Sequence, residues 1–203
     1  MLRTIITGTG RCGTKWASEI LRSVNIKCGH ESVFNVSGFR RSLISEYDAD
    51  SSWMAAPFID SLGDKGIDVI HLLREPISTI RSFMAYPDLF GGPLMAGRYG
   101  REHCDELKRA KSELERCVIW YVAWNEKIEK CVPHTQRVKV EDGQESLLRV
   151  ASIDERPEKE IGVMNHSGKT DGVKLSWDDI PRKYKARLCS MSVRYGYGAE
   201  GKV

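Results

Sequence analysis

The chain has 203 residues, 41% apolar and 29% charged, with a formal net charge of +3. This length supports a single domain with a real core that needs no metal or disulfide staple. The composition excludes a disordered or fibrous chain, no stretch approaches the roughly 20 apolar residues of a membrane span, and the weak, dispersed positive charge suits a small polyanion better than nucleic acid.

In chain order, Leu2 to Thr7 carries "RTIIT" and reads as a buried strand that runs into glycines. From Thr14 to Val24, Trp16, Ala17, Ile20, Leu21 and Val24 recur at helical spacing, and Asn25 closes that helix. "IKCGHE", residues 26 to 31, reads as a second short strand that enters a loop. Residues 32 to 51 are weakly patterned and read as a short helix with polar turns.

A second strand-to-helix junction follows. "IDVIHLLR" (67 to 74) is strongly β-like, and "EPISTIRSFMA" (75 to 85) places Pro76 where a helix tolerates proline best. The glycine- and proline-rich tract 87 to 100 reads as a mobile loop, a candidate cover for a site. The helical stripe from Leu107 to Cys131 includes Tyr121 and Trp124; with Trp120 these aromatics are expected to be core. Residues 135 to 141 read as a strand, 144 to 153 as a short helix, and Asp179 to Tyr195 as an amphipathic helix entered through "WDDIP".

Strands alternating with helices predict an α/β fold with three layers and a central, mostly parallel sheet. In such folds ligands bind beyond the carboxyl ends of the strands, where the junctions after residues 7 and 73 both fall. The six cysteines contain no C-x-x-C pair and read as reduced thiols, and no secretory leader opens the chain, so a soluble, cytoplasmic protein is expected.

"GTGRCGTKW" nearly forms a nucleotide-triphosphate loop, but Gly13 is followed by Thr14 and then Lys15, the reverse of the required Lys-Ser/Thr order. Main-chain N–H groups from Gly10 to Thr14 at a helix start would still cradle an anion. The reversed order removes the expected magnesium hydroxyl, while Arg11 supplies a permanent positive charge. This pattern suits a nucleotide without a triphosphate and without a metal.

Together, "GTGRCGTKW" and "VIHLLREPISTIRSFM" (69 to 84) resemble the 5′-phosphosulfate loop and the 3′-phosphate motif of the sulfotransferase superfamily. Arg74 and Ser82 match the family's Arg-x7-Ser spacing, and "CGHE", "VED" and "LSWDDIP" look like segments of its bacterial and phage members. The resemblance implies a P-loop-like architecture and 3′-phosphoadenosine-5′-phosphosulfate (PAPS) as donor, leaving 3′,5′-adenosine bisphosphate, with no metal. It assigns Gly10, Arg11, Cys12, Gly13, Thr14 and Lys15 to the 5′-phosphosulfate loop, Trp16 to adenine packing, and Arg74 and Ser82 to the 3′-phosphate. Two departures stand out. Arg11 and Cys12 occupy positions where familiar members have Lys and Ser, and the family's late Arg-Lys-Gly segment is absent, leaving only His166 or Lys169 as substitutes.

Transfer also needs a group to take the acceptor's proton. Glu31 is the expected base and His30 the alternative, since a carboxylate among cations would stay ionised while a histidine there would lose proton affinity. Lys15 either reaches a phosphate or points to solvent. Two other classes stay open on sequence grounds, a magnesium-dependent nucleoside or nucleotide kinase with a variant loop and a non-catalytic nucleotide-binding module. The expected acceptor is a small molecule or carbohydrate bearing a hydroxyl or amine, and neither its identity nor the oligomeric state is legible.

Overall fold

β-branched and aliphatic residues put the first strand, β1, at Thr4–Thr7. After it come α1 (Thr14–Ser23), β2 (Cys28–His30), a hairpin of β3 (Phe34–Asn35) and β4 (Gly38–Phe39), β5 (Ala49–Ser51), α2 (Asp60–Gly63) and β6 (Asp68–Leu73). Then follow α3 (Pro76–Met84), α4 (Met95–His103), α5 (Glu113–Glu129), β7 (Arg137–Lys139), α6 (Gly143–Val150) and α7 (Arg182–Arg194). This computed structural model describes residues 1–63, 65–86, 95–162, 170 and 172–198. None of its helices among the described residues is long and apolar enough to cross a membrane.

The main sheet has five strands in the order β2-β5-β1-β6-β7, every pairing parallel. The protein is therefore α/β with a parallel central sheet. From β1 the chain moves to the β2 edge, returns to β5 beside β1, and then crosses to β6 on the other side of β1. Strand order thus reverses at β1, and in open parallel sheets that reversal opens a crevice beyond the strand's carboxyl end.

Packing divides the chain into two compact units, Met1–Arg74 with Glu126–Asn165, and Glu75–Asn125 with His166–Val203. The first holds the whole sheet. One sheet face, with Ile6, Ile70, Leu72 and Val138, packs against Trp16, Ala17, Ile20 and Leu21 of α1 and Leu147 and Leu148 of α6. Burying each such aliphatic side chain stabilises the fold by about 1.5–3 kcal/mol. As expected, Asn25 closes α1: it follows the Val24 C-cap in the left-handed conformation of a helix stop, φ +61°.

The second unit is helical. The expected core aromatics Trp120, Tyr121 and Trp124 are all buried, and the two indoles stack with centroids 4.0 Å apart. Glu75 caps α3 by accepting from the Ile77 N–H at 3.0 Å and the Ser78 N–H at 2.5 Å, and Pro76 follows at the first helical position. A two-pronged pair joins Arg187 to Glu106 at 2.6 and 3.1 Å.

The structure corrects two expectations. Residues 32 to 51 do contain a short helical turn, a 3-10 turn at Arg41–Leu43, but also hold the β3–β4 hairpin and then β5, a strand next to β1 at the centre of the sheet. β5 reads Ala-Asp-Ser and carries no β-branched signal, because its polar side chains are satisfied by hydrogen bonds inside the protein. Of the tract expected to be a loop, 87 to 94 lies outside the described residues, and 95 to 100 is helical. Gly100 sits in α4 because a Cβ there would approach the Trp120 ring to 3.2 Å, so this glycine serves close helix packing rather than a turn.

Candidate anion-binding and catalytic site

Residues 8 to 13 connect β1 to α1 at the switch point. Gly10, Arg11 and Gly13 have φ of +73°, +51° and +105°. A Cβ on Gly8 would collide with the Leu72 carbonyl oxygen and the Cys12 Sγ, and one on Gly13 would come within 3.0 Å of Val140 Cγ2. Backbone, not side chains, therefore lines this turn. Gly13 is the N-cap of α1 and provides no side-chain cap, so the first-turn N–H groups keep the capacity to bind an anion.

Arg11 stands in a left-handed conformation that costs a residue with a side chain about 1–2 kcal/mol. Arg74, just past the tip of β6, secures it. Its Nη1 donates to the Arg11 carbonyl at 3.0 Å. The guanidinium of Arg74 thus touches the main chain of Arg11 at the tips of the adjacent strands β1 and β6. Ser82 belongs to the second unit, on α3, where it is buried.

Thr14 is buried, with its Oγ1 3.3 Å from His30 Nε2, and its carbonyl accepts from Ser51 Oγ at 2.8 Å. Lys15 is exposed on the first turn of α1. Two loop assignments change. Trp16 is a core residue whose indole N–H donates to the Ile161 carbonyl at 2.9 Å; its ring packs inside the first unit instead of offering a face to a base. Cys12 is equally buried, and burial pushes its thiol up to about 11 despite the opposing charge of Arg74, which makes it an inert packing residue. His166 and Lys169 lie outside the described residues.

His30 ends β2 and Glu31 follows it in the loop, two strands from β1 in the parallel sheet with β5 between. His30 nevertheless reaches Thr14, the first residue of α1. Burial, then Arg22 and Lys15, lowers the proton affinity of His30, as expected near cations. The expectation for Glu31 is corrected. Burial and then the charge of Asp50 raise its carboxyl, with only a hydrogen bond from the Trp53 side chain acting the other way. Glu31 is left-handed at φ +55°, donates its N–H to the Ser51 carbonyl at 3.2 Å, and sits 3.9 Å from His30 Nε2. A half-buried carboxylate of raised basicity in a sparsely populated backbone conformation has the properties of a general base.

Sequence reasoning missed the whole tip of β5. Asp50 is fully buried and accepts from the N–H groups of Ser32 at 3.1 Å and Phe34 at 3.2 Å, with the Val33 N–H as a third donor. Ser52 Oγ donates to the Phe34 carbonyl at 2.8 Å. Half-buried Trp53 lies against the loop, and a Cβ on Gly10 would stand 3.2 Å from its Cγ. The available signal was "DSSW", a run of hydrogen-bonding residues just after a candidate strand alanine. Compared with known proteins, the chain matches no family model, and no curated protein matches it.

Proposed function

We propose that this chain is a PAPS-dependent sulfotransferase that moves a sulfuryl group to a hydroxyl or amine by metal-independent, in-line transfer. The observation that carries this reading is the bond from Arg74 Nη1 to the Arg11 carbonyl. It sets the guanidinium of the second motif against the main chain of the first, beyond the carboxyl ends of two adjacent parallel strands, the region where such sheets take ligands. The strand order, with the glycine loop leaving the central strand at its switch point, supports a P-loop-like architecture.

The residues fit the donor. Gly8, Gly10 and Gly13 form a turn that side chains would fill, and the uncapped start of α1 supplies N–H donors to a 5′-phosphate. Arg74 is suited to the 3′-phosphate because its planar fork binds phosphate oxygens in pairs, and Ser82 follows at the motif's spacing. When bound, the donor supplies a sulfuryl group activated by a phosphate leaving group.

Glu31 accepts the acceptor's proton, a role that its raised basicity favours. Arg11 and the loop N–H groups hold negative charge as it develops, and Arg11 keeps its own proton throughout. His30, neutral and next to Thr14, fixes the threonine hydroxyl at the mouth of the loop. The test is transfer to a panel of small-molecule and carbohydrate acceptors in the presence of EDTA, followed by mass spectrometry. A gain of one sulfuryl group that survives EDTA supports the reading. ATP-dependent phosphorylation that stops with EDTA would replace it with a kinase.

A further inference from the structure

Gly29 ends with its Cα so close to β5 that a Cβ there would collide with Asp50 Oδ1 and come within 2.8 Å of Ser32 Cβ. The turn after β2 is therefore wrapped around the Asp50 carboxylate. Asp50 Oδ1 receives the Ser32 N–H and Oδ2 the Phe34 N–H. Glu31 lies inside this wrap, with its own N–H donated to the neighbouring Ser51 carbonyl. Main-chain bonds on both sides of Glu31 thus end on consecutive residues of one strand tip.

We propose that Asp50 is the positioning residue for Glu31: the buried carboxylate of β5 holds residues 31 to 34 in the one turn that keeps the Glu31 carboxylate facing the glycine loop side of the sheet tip. The assignment rests on the reading of Glu31 as the proton acceptor.

Three observations support it together. A fully buried carboxylate is costly unless it is hydrogen-bonded, and the donors satisfying Asp50 come from the segment that carries Glu31. Glu31 stands at φ +55°, a conformation that persists only where its surroundings over-determine it. The charged and titratable groups acting on Glu31 are His30 at 3.9 Å and Asp50, with the Trp53 side chain as hydrogen-bond donor. Of these, only Asp50 is a like charge. The negative charge of Asp50 acts on Glu31, so its removal must show in the Glu31 titration.

The experiment follows the carboxyl carbons of Glu31 and Asp50 by NMR as a function of pH in the ligand-free protein, wild type and two variants. Asp50→Asn keeps the shape and removes the charge. In it, Glu31 is expected to titrate at lower pH than in wild type, and turnover to fall roughly 10–100-fold at unchanged donor KM, the scale of a mispositioned catalytic group. Glu31→Gln lies on a partly exposed turn and gives a second reading even if Asp50→Asn does not fold: the Ser32 and Phe34 amide protons are expected to follow the Asp50 carboxyl through its titration, as its donors. Ser32 and Phe34 amide protons that do not follow Asp50 in Glu31→Gln, or unmoved titration of Glu31 in folded Asp50→Asn, overturn the proposal. The titrations need no PAPS, so coupled carboxylates in a chain that transfers no sulfuryl group would support the pairing and count against the functional reading alone.

Discussion

Ser51, at the tip of β5, donates its hydroxyl to the main-chain carbonyl of Thr14 at 2.8 Å, and so ties the strand carrying Asp50 to the first residue of α1. Both residues are buried. This bond links the turn of the candidate base to the anion loop through one side chain. Ser51→Ala leaves the Thr14 carbonyl without that donor and is expected to cost about 1 kcal/mol of stability, the typical net worth of such a bond. Urea denaturation measures it, and an unchanged midpoint would show that the link carries no energy.

The glycine loop gives a contrast between two kinds of glycine. At Gly8 an added methyl meets the Leu72 carbonyl oxygen and the Cys12 sulfur, so Gly8→Ala is expected to destabilise by about 2–3 kcal/mol through overpacking. Gly66 has φ +67° with open space around it, and Gly66→Ala should cost only about 1 kcal/mol of backbone strain. Thermal melts of the two variants side by side check this order, and a larger loss at Gly66 would refute it.

Charge at the crevice should separate the two ends of the nucleotide. Arg74→Ala removes a guanidinium that reaches the loop. It is expected to weaken 3′,5′-adenosine bisphosphate roughly 10–100-fold, the worth of charge-assisted bonds, while ADP binding changes less. Arg74→Lys keeps the charge without the fork and should recover only part of the loss. Equal losses for both nucleotides would remove Arg74 from the 3′-phosphate.

Stability should depend on pH through the Glu31 side chain in a definite direction. Its carboxyl is raised above 4.5, first by burial and then by Asp50. Above that pH the unfolded chain loses the proton before the folded chain does, so the stabilisation present below 4.5 fades as pH rises through the folded value. His30 works oppositely. Its folded affinity is lowered below 6.5, so stability grows as pH rises from the folded value and is complete above 6.5. Glu31→Gln should therefore gain stability relative to wild type on going from about pH 4 to about pH 7. Denaturant curves at both pH values test this, and a relative loss would show that burial does not raise this carboxyl.

The sequence made β1, β6 and the long helices legible where side-chain chemistry repeats at a fixed period. β1 and β6 are β-branched or aliphatic, and α1 and α5 carry stripes of buried residues. β5 was not legible, because Asp50 and Ser51 look like turn residues until their buried partners are known. For the same reason the site was half visible: the loop, Arg74 and the pair His30–Glu31 stand in recognisable patterns, while Asp50, Ser52 and Trp53 act through contacts made only after folding. Trp16 shows the converse error. An aromatic next to a glycine loop looks like a base platform, but helical spacing turns it into the core.

Isothermal titration in EDTA, comparing 3′,5′-adenosine bisphosphate with ADP on the wild-type protein, tests most directly whether the loop and Arg74 serve a nucleotide phosphorylated at both ends. The bisphosphate is expected to bind at least about tenfold more tightly, one charge-assisted contact's worth. Binding of ADP as tight as that of the bisphosphate, or tighter, would contradict it.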